Sequence, residues 1–143
     1  MTNKIFFDTN VILYAFTERA GSHLDSRIET AEELLAAGGL VSVQVLNEFA
    51  DVASRKLKFS WVQIELALDE IETLCGRALP LTVEMHRAAL GYSRNYGFRI
   101  YDSLILAAAQ QAGCNILYSE DMQHGQQIGS MKIVNPFLVE KKT

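Results

Sequence analysis

The chain has 143 residues, a length typical of a single domain with a full hydrophobic core. Its hydrophobic fraction of 49% is that of an ordinary globular protein, and no apolar run approaches the roughly 20 residues of a membrane span. The formal net charge of −4 argues against binding nucleic acid by overall positive charge alone, although acids that hold divalent cations would make the operating charge less negative.

The two cysteines, Cys75 and Cys114, lie far apart and form no C-x-x-C pattern. We expect both to be reduced, partly buried thiols in a cytoplasmic protein. The N-terminus carries one early basic residue, Lys4, and then a polar interruption, so we expect no signal peptide.

Short apolar runs alternate with helical patterns along the chain. Ile5–Phe7 is a predicted strand, and the polar break Asp8-Thr9-Asn10 separates it from an apolar run that packs the first helix. Further strands are predicted at 40–41, 79–81, 116–118 and 132–134, and helices at 26–37, 42–58, 60–76, 82–96 and 101–112. The alternation predicts one α/β domain over residues 1–143, with a mostly parallel sheet and helices on both faces.

Some local signals support these helices. Ser42 and Thr82 are predicted N-caps, and Ser60 with Gln63 has the spacing of a capping box. Trp61 begins the helix after Ser60, and we expect it to pack in the core with the other apolar residues of that helix. The 119–129 segment is predicted to be a polar loop.

Four acids occupy related positions in this topology. Asp8 follows the first strand, Asp121 follows the 116–118 strand, Glu48 lies one to two turns into the helix after 40–41, and Asp102 begins the helix that is rich in small residues. The carboxyl ends of parallel strands lie along one edge of a sheet, where ligands bind. We therefore expect these four side chains to meet.

Crowded carboxylates repel one another unless cations hold them. Oxygen ligands suit Mg²⁺ or Mn²⁺, and no His or Cys cluster has zinc spacing. A cluster of this kind without a nucleotide-binding loop fits phosphodiester hydrolysis, in which a metal activates water and stabilises the developing charge. Each acid also has an ordinary interpretation: Asp102 as an N-cap, Glu48 as a solvent-exposed residue, and Glu120 and Asp121 as loop acids.

Four segments, in order, resemble the PIN-domain family and most closely the VapC-like toxin ribonucleases: Phe7 to Leu13, Asn47 to Phe49, Tyr101 to Ala109 and Tyr118 to Asp121. The resemblance implies a PIN-like three-layer α/β/α sandwich with about four to five short strands. It also implies a Mg²⁺- or Mn²⁺-dependent endoribonuclease whose catalytic and metal-binding residues are Asp8, Glu48, Asp102 and Asp121. Thr9, Asn10 and Ser119 would orient the acids or a water molecule.

The fourth segment departs from the family's usual pattern. Ser119 stands where a Thr is common, and Glu120 adds a second carboxylate beside Asp121. Of the two acids we favour Asp121. His124 in the following loop and Arg99, three residues before Asp102, are candidate RNA contacts, although an exposed loop His and a solvated cation are equally ordinary.

The resemblance further implies a small antitoxin partner and a homodimer, with RNA as the substrate and no membrane contact. Single-stranded or loop RNA is the expected substrate, because unstacked bases can rest on aromatic side chains such as Tyr14 or Tyr96. Cleavage by water without the 2′-hydroxyl predicts a 5′-phosphate and a 3′-hydroxyl as the new ends.

Two other functions fit parts of the sequence. One is a PIN-like RNA-binding module without catalysis. The other is a phosphatase of the haloacid-dehalogenase type with Asp8 as nucleophile, but that family usually has a second Asp where Asn10 stands, and we find no matching Lys. A Rossmann dehydrogenase is disfavoured because no G-x-G-x-x-G follows the first strand.

Overall fold

The computed structural model describes residues 3–17 and 26–138, which form one mixed sheet with helices on its two faces. The elements in chain order are β1 (Ile5–Phe7), α1 (Thr9–Thr17), α2 (Ser26–Ala37), α3 (Val43–Arg55), α4 (Trp61–Cys75), α5 (Val83–Tyr96), α6 (Ile100–Gln111), β2 (Ile116–Tyr118), β3 (Gln127–Ile128) and β4 (Met131–Val134). The predicted three-layer α/β/α architecture is confirmed. Within the described residues, no helix combines the length and the apolar character needed to cross a membrane.

The sheet has the order β1-β2-β4-β3, in which β1, β2 and β4 are parallel and β3 is antiparallel to β4. Single bridges from Leu40 to Phe6 and from Leu79 to Ser42 continue the pairing beyond β1. Phe7 pairs with Tyr118, so β1 and β2 end at the same level. As a result, Asp8 and Ser119 emerge next to each other at one edge of the sheet.

The interior is built on the parallel strands and on α6. Phe6, Phe7 and Leu117 are fully buried, as expected for strands covered on both faces. Helix α6 is buried from Ser103 to Ala109, and the small side chains at 107–109 leave room for it to pack closely. A helix that is apolar almost all round belongs in the interior of the fold. The first turn of α6 is therefore held at a fixed position.

The predicted helix starts at Ser42, Ser60 and Thr82 are confirmed, and each of these side chains accepts a hydrogen bond from a backbone N–H of its helix. The capping box of Ser60 with Gln63 is complete. Helix α3 ends at Arg55, earlier than predicted. Lys58 has a φ of 60°, and this left-handed turn redirects the chain so that Phe59 can be buried.

Other predictions about local structure were also wrong, among them the strand at 40–41, of which only the single bridge at Leu40 forms. Trp61 is 68% exposed because α4 buries a stripe through Ile64, Ala67, Ile71 and Cys75, and Trp61 lies on its margin. The predicted strand at 79–81 is reduced to the one bridge at Leu79, since the next residue is a proline without an N–H. The 119–129 loop contains β3, which pairs with β4.

The two cysteines are buried more completely than expected. Both are free, and burial raises the pKa of the Cys75 thiol to about 11. Burial also raises the pKa of the Cys114 thiol. Both residues therefore behave as small apolar core side chains at neutral pH.

The close approach of Gly39 to Phe7 yields a stability prediction. A Cβ at Gly39 would lie 2.5 Å from Phe7 Cε2 and 2.8 Å from Cζ, and the Phe7 ring is fully buried. We expect Gly39→Ala to lower the free energy of unfolding by about 1–3 kcal/mol, measured by urea denaturation, because the core cannot absorb the added atom. The control is Gly91→Ala in α5, where the added Cβ meets no atom within 4 Å. It should raise stability by up to about 1 kcal/mol. A Gly39→Ala protein as stable as the control would contradict the packing described.

Candidate functional site

An open cavity of about 730 Å³ lies beside the ends of β1 and β2. All four predicted acids line it, together with Thr9, Asn10 and Arg99: the acids are Asp8, Glu48, Asp102 and Asp121. They come from the loop after β1, from α3, from α6 and from the loop after β2. The fold thus brings together in one cavity the residues that sequence reasoning selected.

Asp8 is the most buried of the four acids, with a side chain that is 3% exposed. Its Oδ1 accepts a hydrogen bond of 2.7 Å from the Thr9 backbone N–H, and its Oδ2 accepts one of 2.7 Å from the Ser119 hydroxyl. The pKa of Asp8 is raised to about 7, and burial is the largest cause. The two hydrogen bonds lower this pKa, and the charges of Asp102 and Glu48 raise it. The folded protein therefore disfavours the ionised form of Asp8 relative to an ordinary aspartate.

Glu48 is fixed by two neutral donors. The Thr9 hydroxyl donates to its Oε1 at 2.9 Å, and the Gln44 side-chain amide donates to its Oε2 at 2.9 Å. Thr9 therefore contacts two of the acids, Asp8 through its N–H and Glu48 through its hydroxyl. Glu48 is only partly exposed and faces the cavity, so it is not an ordinary surface residue.

Gln44 is a residue that the sequence analysis missed. It is buried and lines the cavity one helical turn before Glu48. The i, i+4 spacing on α3 was the available signal, because residues four apart on a helix are neighbours. That spacing is too common on helices to single out Gln44 without the structure.

Asp102 is the third residue of α6, and the N-cap position belongs to Arg99, so Asp102 is not the cap of this helix. Burial raises the pKa of Asp102, the Arg99 charge lowers it, and the charges of Glu48 and Asp121 raise it. No described residue donates a hydrogen bond to its carboxylate. Asp102 thus has free acceptor capacity at the cavity wall.

The structure separates the two neighbouring acids Glu120 and Asp121. Asp121 lines the cavity and accepts a 3.1 Å hydrogen bond from the Asn10 side-chain amide. Glu120 instead accepts a 2.7 Å hydrogen bond from the Tyr14 hydroxyl and forms an ion pair with Arg27 at 3.2 Å. The side-chain oxygen Oδ1 of Asn10 also accepts a 3.2 Å hydrogen bond from the Glu120 backbone N–H, which ties this loop to Asn10. Asp121 is therefore the acid that faces the cavity.

The other predicted contacts differ in their positions. Arg99 is exposed and lines the cavity. His124 is exposed and does not line it, and its Nδ1 accepts a 2.9 Å hydrogen bond from the Asn135 backbone N–H. Tyr14 does not fit the predicted role of a base platform, because its ring packs edge-on against Phe137 and lies under the Arg27 guanidinium.

The chemistry of the cavity fits a hard divalent cation. Carboxylate oxygens are the ligands that Mg²⁺ and Mn²⁺ prefer. Burial and, to a smaller extent, neighbouring carboxylates raise the pKa of Asp8 and of Asp102, so a cation would stabilise their charged forms. Over residues 3–17 and 26–138, no three Asp, Glu, His or Cys side chains are already grouped to hold a metal ion. The four acids share the cavity without forming such a group.

Comparison with solved structures shows which fold this is. A toxin–antitoxin complex from Klebsiella pneumoniae matches with a TM-score of 0.69 and 17% identity, covering 95% of this chain and 100% of the other. Mycobacterium tuberculosis VapC20, a Sarcin-Ricin loop cleaving toxin, matches with a TM-score of 0.63 and 22% identity, covering 82% and 90%. VapBC2 from Rickettsia felis, bound to a DNA fragment from its promoter, matches with a TM-score of 0.59 and 19% identity, covering 90% and 96%.

At these identities the structural matches establish the fold alone. No curated protein matches the sequence. The family model described as "PIN domain" matches residues 5–126, a span that includes every acid lining the cavity. The chain belongs to the PIN domain family.

Proposed function

We propose that this protein is a Mg²⁺- or Mn²⁺-dependent endoribonuclease that hydrolyses phosphodiester bonds of single-stranded or structured RNA, and that it acts as the toxin of a toxin–antitoxin pair. One observation carries the proposal: four segments distant in sequence each place one carboxylate in the same cavity of a PIN fold. The structural neighbours support it, since they include a toxin described as cleaving the Sarcin-Ricin loop.

Asp8 and Asp102 would hold the cation, with Glu48 and Asp121 completing its surroundings or holding a second ion. A bound cation of this kind lowers the pKa of water and stabilises negative charge on a phosphate. The residues around the acids keep them oriented: Ser119 holds Asp8, Thr9 and Gln44 hold Glu48, and Asn10 holds Asp121. Such supporting contacts typically change metal affinity or activity by about 10–100-fold when lost.

Arg99 supplies positive charge for an RNA phosphate at the wall of the cavity, where Arg55 is already paired with Asp51. Positive charge next to a phosphate group strengthens binding and lowers the cost of bringing the polyanion to the carboxylates. The overall charge of the protein is negative, so this local cation matters more than it would on a basic surface.

The phosphatase alternative is disfavoured by the surroundings of Asp8. That chemistry needs a group that can transfer a proton beside the nucleophile, whereas the side chain two residues after Asp8 is the amide of Asn10, which donates to Asp121 Oδ2 at 3.1 Å. A PIN-like RNA-binding module without catalysis is the remaining alternative. Whether the protein cleaves RNA or only binds it distinguishes this module from the proposed nuclease.

The proposal extends to partners. Two structural neighbours are described as a toxin–antitoxin complex and as VapBC2 bound to promoter DNA. We infer that a small antitoxin protein binds this chain as well, that the chain forms a homodimer, and that it works in the cytoplasm.

The proposed nuclease function predicts metal-dependent cleavage of RNA. Mixed single-stranded RNA should be cut in the presence of Mg²⁺ or Mn²⁺ and left intact with EDTA, and the new ends should be a 5′-phosphate and a 3′-hydroxyl. Asp8→Asn and Asp102→Asn should each lower kcat by about 100-fold or more, because each removes charge at the reacting centre. The matched control is Glu65→Gln, an exposed acid on α4 outside the cavity, which should cleave like the wild type. RNA binding without cleavage under any metal would favour the non-catalytic module, and cyclic-phosphate ends would refute attack by water.

A second prediction separates the adjacent acids. Asp121→Asn should lower kcat by at least about 10-fold, because Asp121 faces the cavity. Glu120→Gln should keep nearly full activity, because Glu120 contacts Tyr14 and Arg27 and its amide replacement can still accept the Tyr14 hydroxyl. Steady-state RNA cleavage measures both. The opposite pattern would assign the fourth acid to Glu120.

A third prediction follows from the pKa of Asp8, which is about 7 in the folded protein and 3.8 ordinarily. A raised carboxyl pKa means that the folded state binds the proton more tightly, so this group's contribution to stability falls as pH rises from about 4 to about 7. In metal-free protein at pH 8, Asp8→Asn should therefore raise the free energy of unfolding by up to about 4 kcal/mol. The gain should shrink towards pH 4.

Urea denaturation over a pH series in EDTA measures this difference, with Glu65→Gln as the control. Adding Mg²⁺ or Mn²⁺ at pH 8 should stabilise the wild type more than Asp8→Asn, because cation and proton compete for the same carboxylate. If the stability difference between the wild type and Asp8→Asn did not change with pH, burial would not raise the pKa of Asp8.

A further inference from the structure

Tyr101 has no role in the chemistry described so far, yet it lines the same cavity as the four acids. It is the second residue of α6, directly before Asp102, and it is 55% exposed. Its hydroxyl makes no hydrogen bond with the described residues. Single exposed apolar side chains are common on protein surfaces, so the exposure alone says little. The position beside an acid in the cavity wall is the informative feature.

The first turn of α6 combines three kinds of chemistry. Arg99, just before the helix, is an exposed cation, Tyr101 is an exposed ring and Asp102 is a half-buried acid, and all three line the cavity. A nucleotide presents a matching set, because its phosphate is an anion and its base is a flat aromatic surface. The charge and the ring are therefore complementary to one nucleotide at the place where the acids would act on its backbone.

The ring is also well positioned to serve as a fixed surface. Helix α6 is buried from Ser103 to Ala109, so the residues that follow Tyr101 in the helix are anchored in the interior of the fold. A tyrosine has only two side-chain torsions, so little conformational freedom is lost when a ligand covers it. The aromatic alternatives are less suitable, because Tyr14 packs against Phe137 and Arg27, and Tyr96 does not line the cavity and contacts Tyr92 and Phe98.

We propose that Tyr101 is the surface on which an unpaired base next to the cleaved bond stacks, while Arg99 contacts a neighbouring phosphate. The proposal rests on the proposed nuclease function and specifies its substrate class: RNA in which at least one nucleotide beside the cleaved bond is unstacked. A base inside a continuous duplex cannot offer its face in this way, because both of its faces are covered by neighbouring bases. Tyr101 would thus determine specificity for loops, bulges and single strands.

The test combines protein variants with altered RNA. First, the cleaved bond is mapped in one single-stranded oligonucleotide, and a set of oligonucleotides is made with one abasic nucleotide at each position around it. Wild type, Tyr101→Ala, Tyr101→Phe and Trp61→Ala are then compared by kcat/KM and by RNA binding in fluorescence anisotropy. Trp61→Ala is the matched control, since it removes an exposed aromatic ring outside the cavity.

We expect Tyr101→Ala to lower kcat/KM by roughly 5- to 150-fold, mainly through KM, which is the range for losing one stacked base. Tyr101→Phe keeps the ring and should stay within about threefold of the wild type, as should Trp61→Ala. One abasic position should weaken wild-type cleavage by a similar factor and should have little further effect on Tyr101→Ala, because ring and base are the two halves of one contact. A fully paired duplex of the same sequence should be cleaved poorly by all four proteins.

Several outcomes would overturn this inference while leaving the nuclease function intact. One is that Tyr101→Ala cleaves as well as the wild type; another is that every abasic position affects the two proteins equally. Light scattering and thermal unfolding are measured on each variant. A loss of activity that accompanies a changed oligomeric state would assign Tyr101 to a protein contact and also overturn the inference. If the wild type neither binds nor cleaves RNA, the proposed function and this inference fall together.

Discussion

The hydrogen bond between the Ser119 hydroxyl and Asp8 Oδ2 is the contact on which the organisation of the cavity depends. It joins the residues that directly follow two paired parallel strands, and both residues are buried. A carboxylate in such a position is tolerated only when donors or cations compensate its lost hydration. The protein supplies two short hydrogen bonds, and they are too few to return the pKa of Asp8 to its ordinary value.

The remaining acids are arranged around this buried carboxylate by neutral side chains. Thr9 links Asp8 to Glu48, and Asn10 links the loop after β1 to the loop after β2. Hydroxyl and amide donors orient a carboxylate without cancelling its charge, whereas a Lys or Arg in the same place would do both. The design keeps four negative groups near one another and leaves their charge available. Keeping these groups ionised is therefore costly, as the raised pKa values of Asp8 and Asp102 indicate.

The sheet, the four acids and the helix caps could be predicted from the sequence, because the patterns that indicate them are local. Short apolar runs alternating with helical patterns identified the parallel sheet, and the rule that ligands bind at the carboxyl ends of parallel strands then selected Asp8, Glu48, Asp102 and Asp121. The caps at Ser42, Ser60 and Thr82 were also visible because each depends on residues three positions apart.

The features that could not be predicted depend on distant contacts. Glu120 and Asp121 are adjacent and chemically alike, and what separates them is a tyrosine 106 residues away and an arginine 93 residues away. Gln44 became meaningful only when its partner Glu48 was seen to face the cavity. Trp61 follows the spacing of the buried positions on α4. Whether a residue at the margin of such an apolar stripe is buried depends on which other elements pack beside it, and the sequence of the helix does not show this.

The pairing of Arg55 with Asp51 on α3 has a consequence for how a polyanion would meet the cavity. Both residues line it, and Arg55 donates two hydrogen bonds to Asp51, so the Arg55 charge is already paired within α3. Arg99, on the α6 side, forms no ion pair with the described residues. Of these two arginines in the cavity wall, Arg99 is therefore the one whose charge is not held by an ion pair. A negatively charged group that enters the cavity would meet Arg99 without breaking an ion pair, whereas at Arg55 it would have to compete with Asp51.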